Sequence, residues 1–152
     1  MRKPSAGHRT LEKLAGRWEG AEKLYPSPWD PAGGMANGRM QARVALDGFA
    51  LITDYEQARG GKVTFAGHGV FTFEPKDEIY TLSWFDCMGS PPEIFTGSCV
   101  DNVLTVAHGG SGMHARLTYD FREDGVLAKT MEISQDGEAW NLFFDGRLLR
   151  CT

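Results

Sequence analysis

The stretch KVTFAGHGVFTFE, residues 62–74, decides the fold. Its apolar side chains recur at every second position, as on a strand with one buried face: Val63, Phe65, Phe71 and Phe73. Gly67 and Gly69 stand on that same face, between the phenylalanines. A barrel strand bends sharply where side chains would collide, and glycine permits that bend. The stretch predicts a strand of a curved, closing sheet; a simple β-bulge is the smaller-scale alternative.

Two-residue alternation continues on both sides of this stretch. It recurs in GFALITDYEQ (48–57), GMHARLTYDF (112–121), VLAKTMEIS (126–134) and AWNLFFD (139–145), where Trp140, Leu142 and Phe144 are expected to line up. Turn pairs separate the runs: Asp47-Gly48, Asp124-Gly125, Asp136-Gly137 and Asp145-Gly146, with Asn37-Gly38, Gly60-Gly61 and Gly109-Gly110 as further breaks. The spacing predicts an all-β chain, a single domain over 1–152. We expect an antiparallel up-and-down β-barrel of about ten strands, because closure removes exposed strand edges.

Two segments before the third strand lack this alternation. HRTLEKLAG (8–16) predicts a short N-terminal helix that Thr10 caps, that Gly16 ends and that leans on one end of the barrel. YPSPWDPAGG (25–34) holds three prolines and predicts a stiffened loop, because proline blocks both ladder pairing and helix. Trp29 in its middle is either a plug under the loop or a contact for a ligand or partner.

Composition excludes several classes of protein. The chain has 152 residues, 41% of them hydrophobic and 24% charged, which is ordinary globular composition. A net charge of −4 repels phosphate backbones, so we expect no nucleic-acid partner. No apolar run is long enough to span a bilayer, and no secretory signal is apparent, so we expect no membrane association. Three cysteines outside any CxxC pattern are typical of free thiols, and we expect a cytoplasmic protein.

The segment LAGRWEG (14–20) carries a resemblance to a known group. A Gly-x-Trp that opens the first strand after a short helical turn resembles the calycin superfamily of lipocalin-like barrels. With LDGFALITDY, FAGHGVFTFEP, YTLSWFDCMG, ARLTYDF and MEISQDGEAW, the chain is similar to a bacterial lipocalin-like family of unknown function. The resemblance implies that Trp18 closes the barrel floor and that a basic residue, Arg147 or Arg150, packs over its ring.

The candidate ligand-binding residues follow from the strand pattern. The expected cavity walls are Tyr55, Phe71, Trp84, Tyr119, Met131 and Trp140, and polar orientation is expected from His68, Asp86 and Arg116. Each polar residue has a structural alternative. His68 is otherwise an outward histidine, Asp86 a turn acceptor, and Arg116 a partner of Glu132 or another acidic neighbour.

These features favour a protein that binds a small apolar or amphipathic molecule in its barrel. No cofactor and no metal are expected, since His108 and His114 lack an evident third ligand. Self-association as a homodimer is plausible. One alternative is an enzyme that uses Asp86 and His68 as acid and base. Another is a barrel of the nitrobindin type, whose resemblance implies a haem-binding histidine near the C-terminus, although the last predicted strand has none.

Overall fold

Ten antiparallel strands make up most of the computed structural model, which describes residues 2–109 and 112–152. Helix α1 (Ala6–Leu11) and a 3₁₀ turn (Glu12–Leu14) come first, and a second 3₁₀ turn (Leu46–Gly48) joins the second strand to the third. The strands are β1 (Gly16–Leu24), β2 (Gly34–Ala45), β3 (Ala50–Arg59), β4 (Lys62–Glu74), β5 (Ile79–Asp86), β6 (Glu93–Val100), β7 (Val103–Gly109), β8 (His114–Asp120), β9 (Val126–Ser134) and β10 (Asn141–Cys151).

Each strand pairs with the strand before it and the strand after it, and β10 returns to pair with β1. At that seam Trp18 lies opposite Arg150, and Glu22 lies opposite Gly146. The sheet is therefore closed. This confirms the prediction of an all-β, up-and-down barrel of ten strands with a short N-terminal helix.

The inward positions of the strands form one continuous core. Its fully buried members include Leu51, Phe71, Leu82, Leu104, Leu127 and Leu148. Leu11 and Leu14, from the helical segment, join this core at one end of the barrel and close it. Burial of this apolar surface supplies the main favourable free energy of folding.

The floor of the barrel is built around Trp18, as the resemblance implied. The indole Nε1 donates a hydrogen bond to the Leu14 carbonyl oxygen at 2.9 Å, and the Arg150 guanidinium lies 4.2 Å from the ring centroid. Arg150 also donates to the carbonyls of Lys13 and Ala15. Gly16 has a φ of 128°, and a Cβ there would overlap the Arg150 guanidinium. Arg150, and not Arg147, is therefore the basic residue over the tryptophan.

Three local predictions were wrong. The helix begins at Ala6 after Ser5 rather than after Thr10, whose hydroxyl donates to the Ala6 carbonyl oxygen. Asn37-Gly38 and Asp145-Gly146 are not turns, because they lie inside β2 and β10. The predicted break at Gly109-Gly110 falls partly outside the described residues.

A β-bulge in β10 overturns the expected alignment of Trp140, Leu142 and Phe144. The register against β9 shifts between Leu142 and Phe144. Leu142 is consequently 40% exposed while Phe144 is buried. A bulge adds one residue to one strand and so reverses the face on which later side chains lie.

Among the helices of residues 2–109 and 112–152, none has the length and apolar character that crossing a bilayer requires.

Candidate functional site

The two ends of the barrel differ. At the end where β1 begins, α1 covers the interior, and the Tyr80 hydroxyl donates to the Gly7 carbonyl oxygen at 2.9 Å. At the opposite end, where β1 finishes, several side chains of the inward phase are only partly buried: Phe65, Trp84, His108, Met131 and Ile133. Solvent reaches these inward side chains at the end that α1 leaves uncovered, the open end of the barrel; at the other end, Phe73 and Cys99 are also only partly buried.

A buried polar cluster lies below this open end. The Glu22 side chain is completely buried, and Oε1 accepts a short hydrogen bond from the Tyr55 hydroxyl. The Gln57 amide donates to the same Oε1 at 3.1 Å and to the Tyr55 hydroxyl oxygen at 3.0 Å. The second carboxylate oxygen, Oε2, is buried and has no hydrogen-bond partner among the residues that the structure describes. An unsatisfied buried acceptor costs about 1–3 kcal/mol, so it calls for an explanation.

Two glycines make the room for the Glu22 side chain. A Cβ at Gly38 would overlap the carboxylate, and a Cβ at Gly146 would lie 2.7 Å from Glu22 Cγ. These are the glycines of the two mispredicted turns. Inside β2 and β10 they create space for a buried acid instead of reversing the chain.

Lys129 is the second buried charge in the barrel. Its side chain lies on the inward phase of β9 and is 3% exposed. The Nζ atom lies 3.3 Å from the centroid of the Tyr55 ring, and farther from the rings of Phe144 (5.4 Å) and Tyr119 (5.9 Å). Three aromatic rings thus surround the ammonium group. Within residues 2–109 and 112–152 it makes no hydrogen bond and no ion pair shorter than 4.0 Å.

Burial shifts the pKa values of Lys129 and of two nearby tyrosines. It lowers the pKa of Lys129 to about 8, and the nearby Glu22 charge opposes that shift without cancelling it. Burial also raises the pKa of Tyr55, with further contributions from the charge of Glu22 and the hydrogen bond to it. The pKa of Tyr119 is raised chiefly by burial and also by Glu22. Both phenols therefore stay protonated at neutral pH.

Five of the predicted wall residues lie on the inward phase. Tyr55, Phe71, Trp84, Tyr119 and Met131 face the interior, and Phe71 packs edge-on against Tyr119 with centroids 5.4 Å apart. Phe65 stacks on Trp84 at 6.4 Å, and a Cβ at Gly67 would overlap the indole. Asp86, at the rim, accepts a hydrogen bond from the Trp84 Nε1 at 3.0 Å.

The other three predicted site residues lie on the outer surface, so they are not lumenal walls. His68 is exposed and pairs with Asp54, with Nδ1 and Oδ1 2.7 Å apart. Arg116 forms a two-pronged ion pair with Glu132 and lies 4.2 Å from the Trp140 ring centroid. Their chain neighbours Gly67, Gly69 and Ala115 take the inward positions. A ligand inside the barrel would not touch these side chains.

The acid–base pair of the enzyme alternative is not assembled. His68 is on the outer face of β4, whereas Asp86 shares the inward phase of Trp84 on β5. His108 and His114 also lie on opposite faces of their strands, because Ala115 is inward. The described residues contain no group of three or more histidine, cysteine, aspartate or glutamate side chains arranged to hold a metal.

Sequence reasoning missed Glu22, Gln57 and Lys129. Each is a polar residue at an inward position: Glu22 in the phase of Trp18, Gln57 in that of Tyr55, and Lys129 between Leu127 and Met131. That phase assignment was the available signal. Each of these polar side chains occupies a position where its strand otherwise places apolar residues. The sequence pattern alone therefore marks them as a candidate site.

Comparisons with known proteins bear on the fold and on the family of this chain. No curated protein matches the chain significantly. A solved structure of Rv2717c from M. tuberculosis is similar, with a TM-score of 0.70 and 13% sequence identity over 97% of this chain and 99% of that one. At this identity the likeness concerns the fold alone. A family model described as "Protein of unknown function (DUF1579)" matches residues 3–150, so the chain belongs to this family.

Proposed function

We propose that this protein binds a small amphipathic molecule inside the barrel, which enters at the end opposite helix α1. The observation that carries the proposal is Glu22 Oε2, a buried acceptor without a partner among the described residues, beneath partly exposed inward side chains. A ligand group that hydrogen-bonds to this oxygen would offset the cost of burying it.

The walls between the opening and the cluster suit an apolar ligand body. Phe65, Trp84 and Met131 are partly buried side chains that pack on the core and face inward. Covering such surface contributes about 25 cal/mol per Å² before the cost of ordering the ligand. The resemblance of β1 to lipocalin-like barrels supports this use of the interior.

The proline-rich loop, residues 25–33, borders the proposed entrance. Arg59 holds it: Nη1 lies 2.7 Å from Asp30 Oδ2, and Nη2 donates to the Gly33 carbonyl oxygen at 2.7 Å. Trp29 packs edge-on against Phe143 with centroids 6.1 Å apart and is 62% exposed. We propose that this indole is a contact surface at the entrance.

The test uses N-phenyl-1-naphthylamine, a neutral dye that fluoresces in apolar surroundings. We expect saturable binding of one dye per chain. Met131→Trp places a larger side chain at an inward position near the open end and should weaken dye binding at least tenfold. The neighbouring Thr130→Trp adds the same indole to the outer face and should leave binding unchanged. Absence of saturable binding, or equal effects of both variants, would refute a lumenal site.

A further inference from the structure

We propose that the ligand's polar group is a neutral hydroxyl, held between Glu22 and Lys129, so that the ligand class is an apolar alcohol. This inference rests on the proposed function and deepens it. It follows from the opposite charges of Glu22 and Lys129, and from the hydrogen bonds that Glu22 Oε2 and the Lys129 ammonium do not make with the described residues.

The hydrogen-bonding needs of Glu22 define the first half of the ligand group. Oε1 already accepts from the Tyr55 hydroxyl and from the Gln57 amide, whereas Oε2 accepts from no described residue. A carboxylate oxygen can only accept, so the missing partner must be a donor. An ether or ketone cannot fill this role.

Lys129 defines the second half. Its ammonium lies among aromatic rings, and it has no hydrogen-bond acceptor within the described parts of the chain. An ammonium only donates, so its missing partner must be an acceptor. Glu22 affects the pKa of Lys129 by its charge, although the two groups make no ion pair within 4.0 Å. A ligand group that contacts both must therefore displace the side chains that now bury Oε2.

The two charges exclude ionised ligand groups. A carboxylate would be attracted by Lys129 but repelled by Glu22, and an amine would meet the reverse. In a buried site, such like-charge repulsion is poorly screened. A hydroxyl donates one hydrogen bond and accepts others without adding charge, so it satisfies both partners at once.

The experiment measures displacement of N-phenyl-1-naphthylamine from the wild-type protein at pH 7 by four probes: 1-decanol, 1-methoxynonane, decanoate and decylammonium. We expect decanol to displace the dye at a concentration at least tenfold below each of the others. The ether matches decanol in heavy atoms and accepts hydrogen bonds but cannot donate to Glu22. A site that hydrogen-bonds a hydroxyl discriminates strongly against an analogue lacking it.

Charge variants provide a second readout. Glu22→Gln removes the negative charge, so decanoate should gain at least fivefold relative to decanol. Lys129→Met removes the positive charge, so decylammonium should gain by a similar factor. Glu132→Gln, in an ion pair on the outer face, is the control and should leave the ranking unchanged.

The outcomes separate this inference from the proposed function. If the dye binds inside the barrel but decanol fails to rank first, or none of the probes displaces it, the hydroxyl assignment is wrong and lumenal binding stands. If the dye itself does not bind, the proposed function fails and the inference with it. The wild-type ranking decides the matter even where a variant fails to fold.

Discussion

Gly20 shows how a single residue permits the closure of the barrel. It lies on β1 opposite Leu148 of β10, at the seam between the first and last strands. A Cβ at this position would overlap the Arg147 carbonyl oxygen and lie 2.9 Å from the Leu148 Cα. The neighbour is backbone and cannot rotate away, so any larger residue must push the seam apart.

We therefore expect Gly20→Ala to lower the free energy of unfolding by about 2–3 kcal/mol, as overpacking does in a tight interior. Gly109→Ala is the matched control. Among the residues that the structure describes, its new Cβ would meet only the His114 ring, at 2.9 Å from Nδ1, and that side chain can move. Urea denaturation of both variants measures the difference. An equal loss in the two would mean that the seam tolerates a methyl group.

At the scale of elements, Arg150 ties the helical segment to the last strand. Its guanidinium donates to the carbonyls of Lys13 and Ala15 and stacks over the Trp18 ring. Arg147 is on the same strand but is exposed and pairs with Glu123 on the surface. Arg150 thus connects the helical segment to β10, whereas Arg147 makes an ion pair on the surface.

Arg150→Met should destabilise the protein by about 1–2 kcal/mol, because it removes two hydrogen bonds and a cation–π contact. Arg147→Met should change stability by less than about 0.5 kcal/mol, as is usual for exposed ion pairs. Thermal and urea unfolding of the two variants provide the measurement. Equal losses of unfolding free energy in the two variants would show that Arg150 does not connect the helical segment to β10.

The proline-rich loop is a second element held by one arginine. Arg59→Met removes both the ion pair to Asp30 and the hydrogen bond to the Gly33 carbonyl oxygen. We expect amides within residues 27–33 to exchange with deuterium about tenfold faster, while the strands keep their protection. Arg39→Met, which loses only an exposed pair with Glu19, is the control. Unchanged exchange in the Arg59 variant would show that the prolines alone order the loop.

The sequence predicts those features of the fold that depend on one strand alone, and it misses those that depend on a neighbouring strand. Alternation of apolar side chains fixed the strands, because a period of two follows from strand geometry itself. It failed at Gly38, Gly146 and the bulge near Phe144, where the reason lies in another strand. The predicted site residues that lie on the outer surface were misplaced for two separate reasons. His68 and Arg116 lie on the polar phase of their strands, and alternation alone does not show which phase faces the interior. Trp140 was expected inside from its alignment with Phe144, which the bulge breaks.

At the scale of the whole molecule, the buried cluster predicts an unusual dependence of stability on pH. The pKa of Lys129 is about 8 in the folded protein and 10.5 in its ordinary state. Between these values the unfolded chain binds more protons than the folded one, so the free energy of unfolding rises with pH. Above about pH 10 the order reverses, because Tyr55 and Tyr119 keep protons that the unfolded chain has lost.

Lys129 alone would raise the free energy of unfolding by about 2 kcal/mol between pH 7.5 and 9.5, since one pKa unit corresponds to about 1.4 kcal/mol. Burial raises the pKa of the Cys99 thiol, which acts in the opposite direction in this range, so we expect a smaller net rise, followed by a fall above pH 10. Urea denaturation across this range measures the profile. In Lys129→Met the rise should vanish while the fall above pH 10 persists, because the phenols remain. Profiles that coincide in the wild type and in Lys129→Met from pH 7.5 to 9.5 would mean that the ammonium of Lys129 is hydrated in the folded barrel. Water would then screen the positive charge of Lys129, and this charge could no longer select a neutral hydroxyl over an ionised ligand group.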